Sequence, residues 1–430
     1  MKDKDEIQGM INGTGVEETI RVQGMLNENG SGSAIQQQED NTSIMQVVLS
    51  TLKKNSMLIA LIVVLIIFGF STGGTILVPR NVSNLIFQNA YVAILAVGML
   101  LCILTGGNID LSVGSTVCLV GAFAGELMIV RKMPVLPSIL ICLFVGLLIG
   151  VWHGIWIAYI GVPPFIATLA GQLIFRGSSL IVLNGLTLAP FPDEFQRLAT
   201  GHIPDFFKID GLDLNVTCLG LGVLAALVFL AIRISGRIRK IRKGYAPGGA
   251  IYFYINTGVL AAIIVFVSFW LALYEGMPTV MVTLIIVVLI YAILTSMTVP
   301  GRYLYALGGN PKAARMSGID TKKVMFFAYA NMSFLAGVAG LVFATRLNSA
   351  NPTAGQNFEL DAIASCFIGG ASAYGGIGTV SGVLIGAAFM GIMNNGMNFM
   401  GFQTAAQQVV KGMVLLLAVG FDVLSKRKSR

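Results

Sequence analysis

The chain has 430 residues, of which 55% are hydrophobic and only 11% are charged, and its formal net charge is +8. Its mean hydropathy is +0.81. Soluble domains carry about a quarter of their residues as charged side chains, so this composition excludes most soluble classes. Apolar runs of about 20 residues favour helices over the shorter alternating strands of a membrane barrel. We therefore predict an all-α, polytopic transmembrane helical bundle.

Residues 1–54 differ in composition from the rest of the chain. They hold eight acidic residues against five basic ones and lack an apolar run, so they cannot bury enough surface to offset the entropy of ordering. We predict a disordered, cytoplasmic polar tail. It does not read as a signal peptide, because the first apolar core begins near Met57. A small repeat, residues 7–12 and 22–27, leaves a short docking helix as the alternative.

Residues 55–425 alternate apolar spans with polar loops and predict one transmembrane domain. The predicted spans are residues 55–78, 84–104, 110–130, 138–160, 164–184, 215–235, 251–273, 278–298, 324–345, 360–374, 378–400 and 405–424. Residues 360–374 are short for a crossing. Counting them as one crossing gives twelve in total. A re-entrant segment there would instead leave an odd number of crossings, and another span would then have to change. The prediction is therefore ten to twelve spans.

Charged residues predict which loops face the cytosol, because cytoplasmic loops retain Lys and Arg. The chain has three basic clusters, and one loop, 185–214, in which acidic residues outnumber basic ones. The basic clusters are Arg233, Arg237, Arg239, Lys240, Arg242 and Lys243; Arg302, Lys312, Arg315, Lys322 and Lys323; and Lys426, Arg427, Lys428 and Arg430. Twelve crossings place all three clusters in the cytosol and loop 185–214 outside. We thus predict a multi-pass protein of the cytoplasmic membrane, with the tail and the basic C-terminus, 426–430, both cytoplasmic.

Two glycine-rich stretches interrupt the apolar spans, at 105–115 and 369–379. Irregular backbone at membrane depth needs protein or water to satisfy its polar groups, so paired breaks in two halves predict loops that line a transport path. The alternative is that the glycines permit close helix packing. The path candidates are Thr105, Gly106, Gly107, Asn108, Asp110, Ser112, Ser115, Gly369, Gly370, Ser372, Gly375 and Gly376, joined by the amides Asn394, Asn395 and Asn398.

Asp110 is an ionisable residue inside a predicted span, where a charge is costly. We favour a capping role, in which Asp110 or Asn108 caps the N-terminus of the following helix, because such a side chain satisfies free amides and a carboxylate favours the positive end of the helix dipole. A direct contact with a solute is the alternative. Arg176 and Glu126 are predicted near span ends, where their charged groups reach the membrane interface.

The loop between residues 299 and 323 carries the signals of a short helix. Asn310 is the predicted N-cap, Pro311 occupies the first helical position, and Gly318 ends the element. The body consists of Lys312, Ala313, Ala314, Arg315 and Met316. A helix this short is marginal in water unless something packs against it, which predicts a docking partner. A loose basic loop is the alternative.

Several long strings occur in an order that resembles the permease subunits of ribose, galactose and xylose ABC importers. They are TGGNIDLSVGS (105–115), GRYLYALGGNPKAARMSG (301–318), RLNSANPTAGQNFELD (346–361), GGASAYGGIGTVSGVLIG (369–386) and NNGMN (394–398). The resemblance covers most of residues 50–425. An added apolar hairpin at about 215–275, relative to short ribose-type permeases, is similar to the xylose and multiple-monosaccharide branch.

The resemblance implies a permease that pairs with a second copy, binds a cytosolic ATPase subunit, and receives a monosaccharide from an extracytoplasmic binding protein. It also implies that the helix at 310–318 couples the permease to the ATPase. The chain has no GxxxxGK[ST] string, so ATP and Mg²⁺ are expected on the partner and no cofactor on this chain. We expect a translocation subunit in the lipid bilayer, with no catalytic residues, no metal site and no nucleic-acid partner.

The competing prediction is a secondary sugar transporter driven by an ion gradient. Such a protein needs a protonatable or cation-coordinating group deep in the bundle. From the sequence, Asp110 is the one serious candidate, and the long charge-free runs argue against a proton relay.

Overall fold

The computed structural model describes residues 56–208, 214–245 and 249–427. The predicted tail, 1–54, lies outside the described residues, as do Asp210, Asp213 and residues 428–430 of the predicted basic C-terminus. Regular structure in the described part is helical, and two isolated β-bridges join loops. The all-α prediction is confirmed.

The described helices follow the predicted spans closely. They are α1 (Ser56–Ser71), α2 (Pro79–Leu104), α3 (Val113–Gly125), α4 (Val135–Gly154), α5 (Pro164–Val182), α6 (Asp193–Thr200), α7 (Val216–Arg242), α8 (Ala250–Ala272), α9 (Thr279–Met297), α10 (Val299–Gly309), α11 (Pro311–Met316), α12 (Thr321–Leu347), α13 (Phe358–Ile368), α14 (Val380–Phe399) and α15 (Thr404–Arg427). Turns of π-helix extend α3 to Val130 and α4 to Ile160.

Ten of the described helices are long and apolar enough to cross a membrane, namely α2, α3 and α4 with their extensions, α5, α7, α8, α9, α12, α14 and α15. This number is the lower bound of the predicted range. The predicted short span at 360–374 overlaps α13, which has 11 residues and is therefore only about 16 Å long. Positive φ angles at Gly370, Gly375 and Gly376 explain why the helix does not continue.

Local sequence signals explain where the helices begin. Asn215 accepts a hydrogen bond from Cys218 N at the start of α7, and Thr379 accepts one from Gly382 N at the start of α14. Asp320 accepts two backbone N–H groups in the first turn of α12. These side chains satisfy amides that the first turn of a helix leaves without partners.

The core of the bundle is built around α2, whose residues 90–104 are all buried. Helices α3 and α12 pack on it and are themselves largely buried. In contrast, α7, α8 and α15 present most of their apolar side chains outward. In a membrane these outward apolar surfaces would face lipid or another subunit.

The two ends of the bundle can be named from the elements they carry. The α11 end holds Leu104, α10 and α11; the α6 end holds α6 and the loop around His202. Between α12 and α14 the chain passes from one end to the other. Ala350 pairs with Leu188 at the α6 end, whereas Gly376 N donates to Leu104 O (3.1 Å) at the α11 end. The short helix α13 and its irregular flanks therefore traverse the bundle together.

The loop between α5 and α7 is fixed at the α6 end by two polar side chains. Asp205 accepts hydrogen bonds from Val216 N (3.0 Å), Thr217 N (3.1 Å) and Thr217 Oγ1 (2.6 Å); the Thr217 hydroxyl bond is the main reason why the pKa of Asp205 lies below its usual range. The imidazole of His202 lies between Glu275 (2.8 Å) and Ser83 (3.2 Å). Burial lowers the pKa of His202 and outweighs the opposing attraction of Glu275.

Candidate functional site

The two glycine-rich stretches meet at the α11 end, with backbone against backbone. A Cβ atom on Gly107 would collide with the carbonyl oxygen of Ala373, and one on Gly375 would collide with Gly106. A Cβ atom on Gly308 would likewise collide with backbone atoms of Leu104 and Gly376. Gly107 and Gly375 also have φ angles of 76° and 83°, which L-residues with side chains rarely adopt. Close packing accounts for these glycines; a solute path beside them stays a prediction.

Asp110 is fully buried and fixes the turn before α3. Its Oδ1 accepts hydrogen bonds from Ser112 N (2.8 Å) and Ser112 Oγ (2.6 Å), while Oδ2 has no partner among the described residues. The helix begins at Val113 with Ser112 as its N-cap, and no side-chain bond is made by that cap. The predicted capping role is therefore shifted, because Asp110 holds the residue that precedes the helix and not the first-turn amides. Asn108 instead donates to Thr105 Oγ1 (3.1 Å).

The predicted path residues differ in how far solvent reaches them. Buried are Thr105, Asp110, Ser112, Ser115, Gly369, Ser372, Gly375 and Asn395; partly buried are Gly107, Asn108, Gly370, Gly376 and Asn394; exposed are Gly106 and Asn398. Ser115 Oγ is buried without a hydrogen-bond partner among the described residues. Gly106, Gly107, Gly375 and Gly376 form the contact between the two stretches, which we call the glycine junction. The amides of α14 do not belong to it and lie at a second place.

That second place is a polar pocket of about 360 Å³ between α2, α12, α13, α14 and α15. Its polar lining residues are Gln88, Asn89, Tyr91, Arg346, Gln356, Asn357, Asp361, Asn394, Asn398, Thr404, Gln407, Gln408 and Lys411. Tyr91 is the thirteenth of the 26 residues of α2, so the pocket reaches the middle of that helix. Two predicted residues, Asn394 and Asn398, line it. Asn395 lies beside it and donates to Gln88 Oε1 (3.4 Å).

A buried ion pair forms one wall of the pocket. Lys411 Nζ lies 2.9 Å from Asp361 Oδ1 and donates to Oδ2 at 3.1 Å. The Asp361 side chain is 5% exposed and that of Lys411 is 20% exposed. The pair joins α13 to α15, which otherwise contributes an exposed apolar surface. Because a buried charge without its partner is costly, these two residues hold each other in place.

Arg346 brings a second positive charge to the pocket. It is partly buried at the end of α12, and no described residue hydrogen-bonds to or forms an ion pair with its guanidinium. Tyr91 lies close enough to interact with it electrostatically and stacks on Phe358 with ring centroids 4.4 Å apart. A guanidinium with free donors, surrounded by amides, can bind a ligand rich in oxygen atoms.

Three of the pocket's charged residues were not singled out from the sequence. Asp361 and Lys411 stand immediately before and after the charge-free run 362–410. Their position at its two ends was the one feature of the sequence that could have drawn attention to them. Arg346 opens one of the strings that carry the family resemblance. Arg176 was expected to reach the interface. Its Nη1 instead donates to Pro352 O (3.0 Å) and Ala354 O (2.5 Å).

Glu126 occupies the predicted position near the end of a span, where it pairs with Arg131 (3.0 Å) at the surface. A further carboxylate, Glu359, is buried at the start of α13. The bundle therefore holds more ionisable groups than the sequence indicated.

The predicted short helix at the α11 end is confirmed as α11. Asn310 Oδ1 accepts a hydrogen bond from Ala313 N (3.0 Å), Pro311 is the first helical residue, and Gly318 follows with a φ of 82°. Ala314 is buried against the bundle, whereas Met316 is 82% exposed. A large apolar side chain on a short, capped, basic helix is a feature of docking surfaces. Its contact with an ATPase stays a prediction.

Comparison with known proteins gives a consistent set of relatives. Residues 81–419 match the family described as "Branched-chain amino acid transport system / permease component". The chain is 38% identical to the xylose transport system permease protein XylH of Escherichia coli (strain K12) over 374 residues, 87% of this chain and 92% of XylH. It is 36% identical to XylH of Haemophilus influenzae (86% and 96%) and 35% identical to the ribose import permease protein RbsC of Escherichia coli (strain K12) (80% and 85%). No solved structure matches the chain. On these grounds the chain belongs to the branched-chain amino acid transport system permease family.

Proposed function

We propose that this chain is the membrane-spanning permease of an ATP-driven importer that moves a monosaccharide, such as xylose, into the cytoplasm by alternating access. The observation that carries the proposal is the polar pocket. A sugar is neutral and rich in hydroxyl groups, and the pocket offers amides, a guanidinium and an ion pair between otherwise apolar helices. Its volume of about 360 Å³ lies within the range of small-molecule sites.

The relatives support the substrate class, since the names of XylH and RbsC refer to xylose and ribose. We infer that the α11 end faces the cytosol, because α10, α11 and the first turn of α12 carry the basic residues Arg302, Lys312, Arg315, Lys322 and Lys323. The α6 end, with Asp193, Glu194 and Asp205, then faces outward and receives the sugar from a binding protein. Helix α11 would seat on the ATPase subunit, and a second copy of the chain would complete the permease.

The competing function, ion-driven sugar transport, needs a buried group that binds a proton or a cation. The structure adds Asp361 and Glu359 to the buried carboxylates that could serve in this way. Asp361, however, already has a positively charged partner, because Lys411 Nζ lies 2.9 Å from its Oδ1 and donates to its Oδ2. A coupling cation at this carboxylate would be repelled by the adjacent ammonium group. Asp110 is bound to Ser112 through one oxygen. The ATP-driven function accounts for α11 as well as for the pocket, and we favour it.

Variants of the pocket test the proposal. Uptake of labelled xylose is measured in proteoliposomes that contain this chain with its ATPase and binding protein. Arg346→Met removes charged donors and should lower uptake efficiency by about 10- to 100-fold; Gln408→Leu removes a neutral amide and should lower it by about 2- to 10-fold.

The matched control is Gln403→Leu, because Gln403 is exposed and does not line the pocket. Its uptake should stay within about twofold of wild type, since such surface changes cost about 0.5 kcal/mol or less. The ATPase should co-purify with all three variants, because none of them lies on α11. Unchanged uptake in Arg346→Met would remove the pocket from the transport path.

A further inference from the structure

The hairpin of α7 and α8 contains an apolar groove that the transport site does not use. The groove has a volume of about 550 Å³, and its lining includes Val223, Ala226 and Leu230 from α7 and Ala262, Val265 and Phe269 from α8. The hairpin is tied to the rest of the bundle near the α6 end, where Trp270 Nε1 donates to Leu77 O (2.6 Å). Val223 and Phe269 in its lining are exposed, so the groove is open to whatever surrounds the protein in the membrane.

A dense positive charge lies at the other end of the same hairpin. Arg233, Arg237, Arg239, Lys240, Arg242 and Lys243 follow one another near the end of α7, and residues 214–274 contain no acidic residue. Helix α7 has 27 residues and is about 40 Å long, about 10 Å more than the hydrocarbon core of a bilayer. The end of α7, with most of its basic residues, therefore lies at the level of lipid headgroups, and the long side chain of Arg233 can reach that level.

Two of the arginines are held on the face of α7 that carries the groove. The spacing of Ala226, Leu230, Arg233 and Arg237 is four, three and four residues, which places them along one side of the helix. Arg233 lies 5.4 Å and Arg237 lies 4.8 Å from the ring centroid of Phe253 on α8. Arg237 also lies 5.7 Å from the ring of Tyr254. These rings hold both guanidinium groups on the groove side of α7, where their positive charges attract an anion.

We propose that the α7–α8 hairpin binds an anionic phospholipid, with the phosphate at Arg233 and Arg237 and an acyl chain in the groove. The distances agree with this arrangement. Arg233 and Val223 are ten residues apart, which corresponds to a distance of about 15 Å along the helix. This distance is half the thickness of the hydrocarbon core. A single lipid of the adjacent leaflet therefore reaches both parts.

A lipid accounts for both the apolar groove and the two arginines beside it, which a free anion does not. A free phosphate would use the arginines and leave the groove unfilled. Retention of basic loops in the cytoplasm requires positive charge, but it does not require two arginines on the groove face of α7. Basic clusters next to a membrane helix raise the affinity for anionic lipids by about fivefold for each residue near the surface.

The test measures the thermal stability of the full chain, purified in a neutral detergent, as lipid is added. The probes are dioleoyl-phosphatidylglycerol, dioleoyl-phosphatidylcholine and sn-glycerol 3-phosphate. A ligand that binds only the folded protein raises Tm in a concentration-dependent way. We expect phosphatidylglycerol to raise Tm at concentrations where phosphatidylcholine and glycerol phosphate do not.

Matched variants locate the site. R233Q/R237Q should weaken the apparent affinity for phosphatidylglycerol by about 30-fold. R239Q/R242Q removes the same charge from other faces of α7 and should change it by less than about threefold. Ala262→Trp fills the groove from an exposed position and should also weaken binding, with both arginines in place.

Four results would overturn the proposal. Equal stabilisation by phosphatidylcholine would show that the charges play no part, and equal stabilisation by glycerol phosphate would indicate a free-anion site. Equal losses in R233Q/R237Q and R239Q/R242Q would indicate a diffuse surface charge. Loss of ATPase association in R233Q/R237Q, with lipid binding intact, would assign the cluster to a protein partner.

Discussion

The ion pair between Asp361 and Lys411 gives the sharpest prediction about stability. Lys411→Met keeps the length of the side chain and removes its charge, so it leaves the Asp361 carboxylate, 5% exposed, without a counter-charge. Breaking a buried pair in this way costs about 3–5 kcal/mol. At roughly 2 °C for each kcal/mol in a chain of this size, Tm should fall by about 6–10 °C.

The partner variants should behave differently, because the two side chains differ in exposure. Asp361→Asn leaves Lys411, which is 20% exposed and can turn toward the pocket, so it should cost about half as much as Lys411→Met. The double variant leaves no unpaired charge and should be more stable than Lys411→Met alone. Lys312→Met, on the exposed surface of α11, serves as the control and should leave Tm unchanged.

The assay is thermal unfolding of each purified variant in the same detergent, followed by the fluorescence of an added thiol dye or by light scattering. A double-mutant cycle then isolates the coupling between the two residues. The reasoning would be refuted if Lys411→Met changed Tm by less than about 2 °C. It would equally be refuted if the double variant lost the sum of the two single losses.

Three further predictions follow from the glycine junction, the loop around His202 at the α6 end, and α11. Gly107→Ala should lower Tm or abolish expression, because its Cβ meets backbone and cannot be relieved by a rotamer change; Gly177→Ala, which meets no atom within 4 Å, should be neutral or stabilising. Burial lowers the pKa of His202, so the unfolded chain binds the proton first. Stability should thus be full above pH about 6.5 and fall as the pH drops below it. Tm measured at pH 7.5 and 5.5 should show a smaller drop in His202→Gln than in wild type. Asn310→Ala removes the cap of α11 at a cost of about 1 kcal/mol and should weaken co-purification of the ATPase, whereas Asn310→Ser should retain it; equal retention by both would contradict the role of the helix.

The helices were predictable from sequence because the residues that start, fill and end each helix lie within or next to that helix. Apolar runs of about 20 residues, Pro at first positions, and caps such as Asn310 and Thr379 are local features, and they hold in the structure. The length of α13 was harder to predict. The run of apolar residues continues through 360–374, but positive φ angles in the glycine segment end the helix at Ile368.

The pocket could be anticipated only in part, since it joins residues far apart in the chain. Asn394 and Asn398 were recognisable as amides within an apolar span. The pairing of Asp361 with Lys411 crosses 50 positions, and no local pattern specifies such a contact. Likewise, the two glycine-rich stretches were recognised separately, but their contact through Gly107 and Ala373 depends on how α2 and α13 pack.

The most direct test of the central claim measures xylose uptake in proteoliposomes with this chain, its ATPase and its binding protein. The account predicts that uptake requires all three proteins and ATP on the ATPase side. It also predicts that uptake continues when ionophores collapse proton and sodium gradients. Uptake by this chain alone, driven by an ion gradient without ATP, would contradict the account.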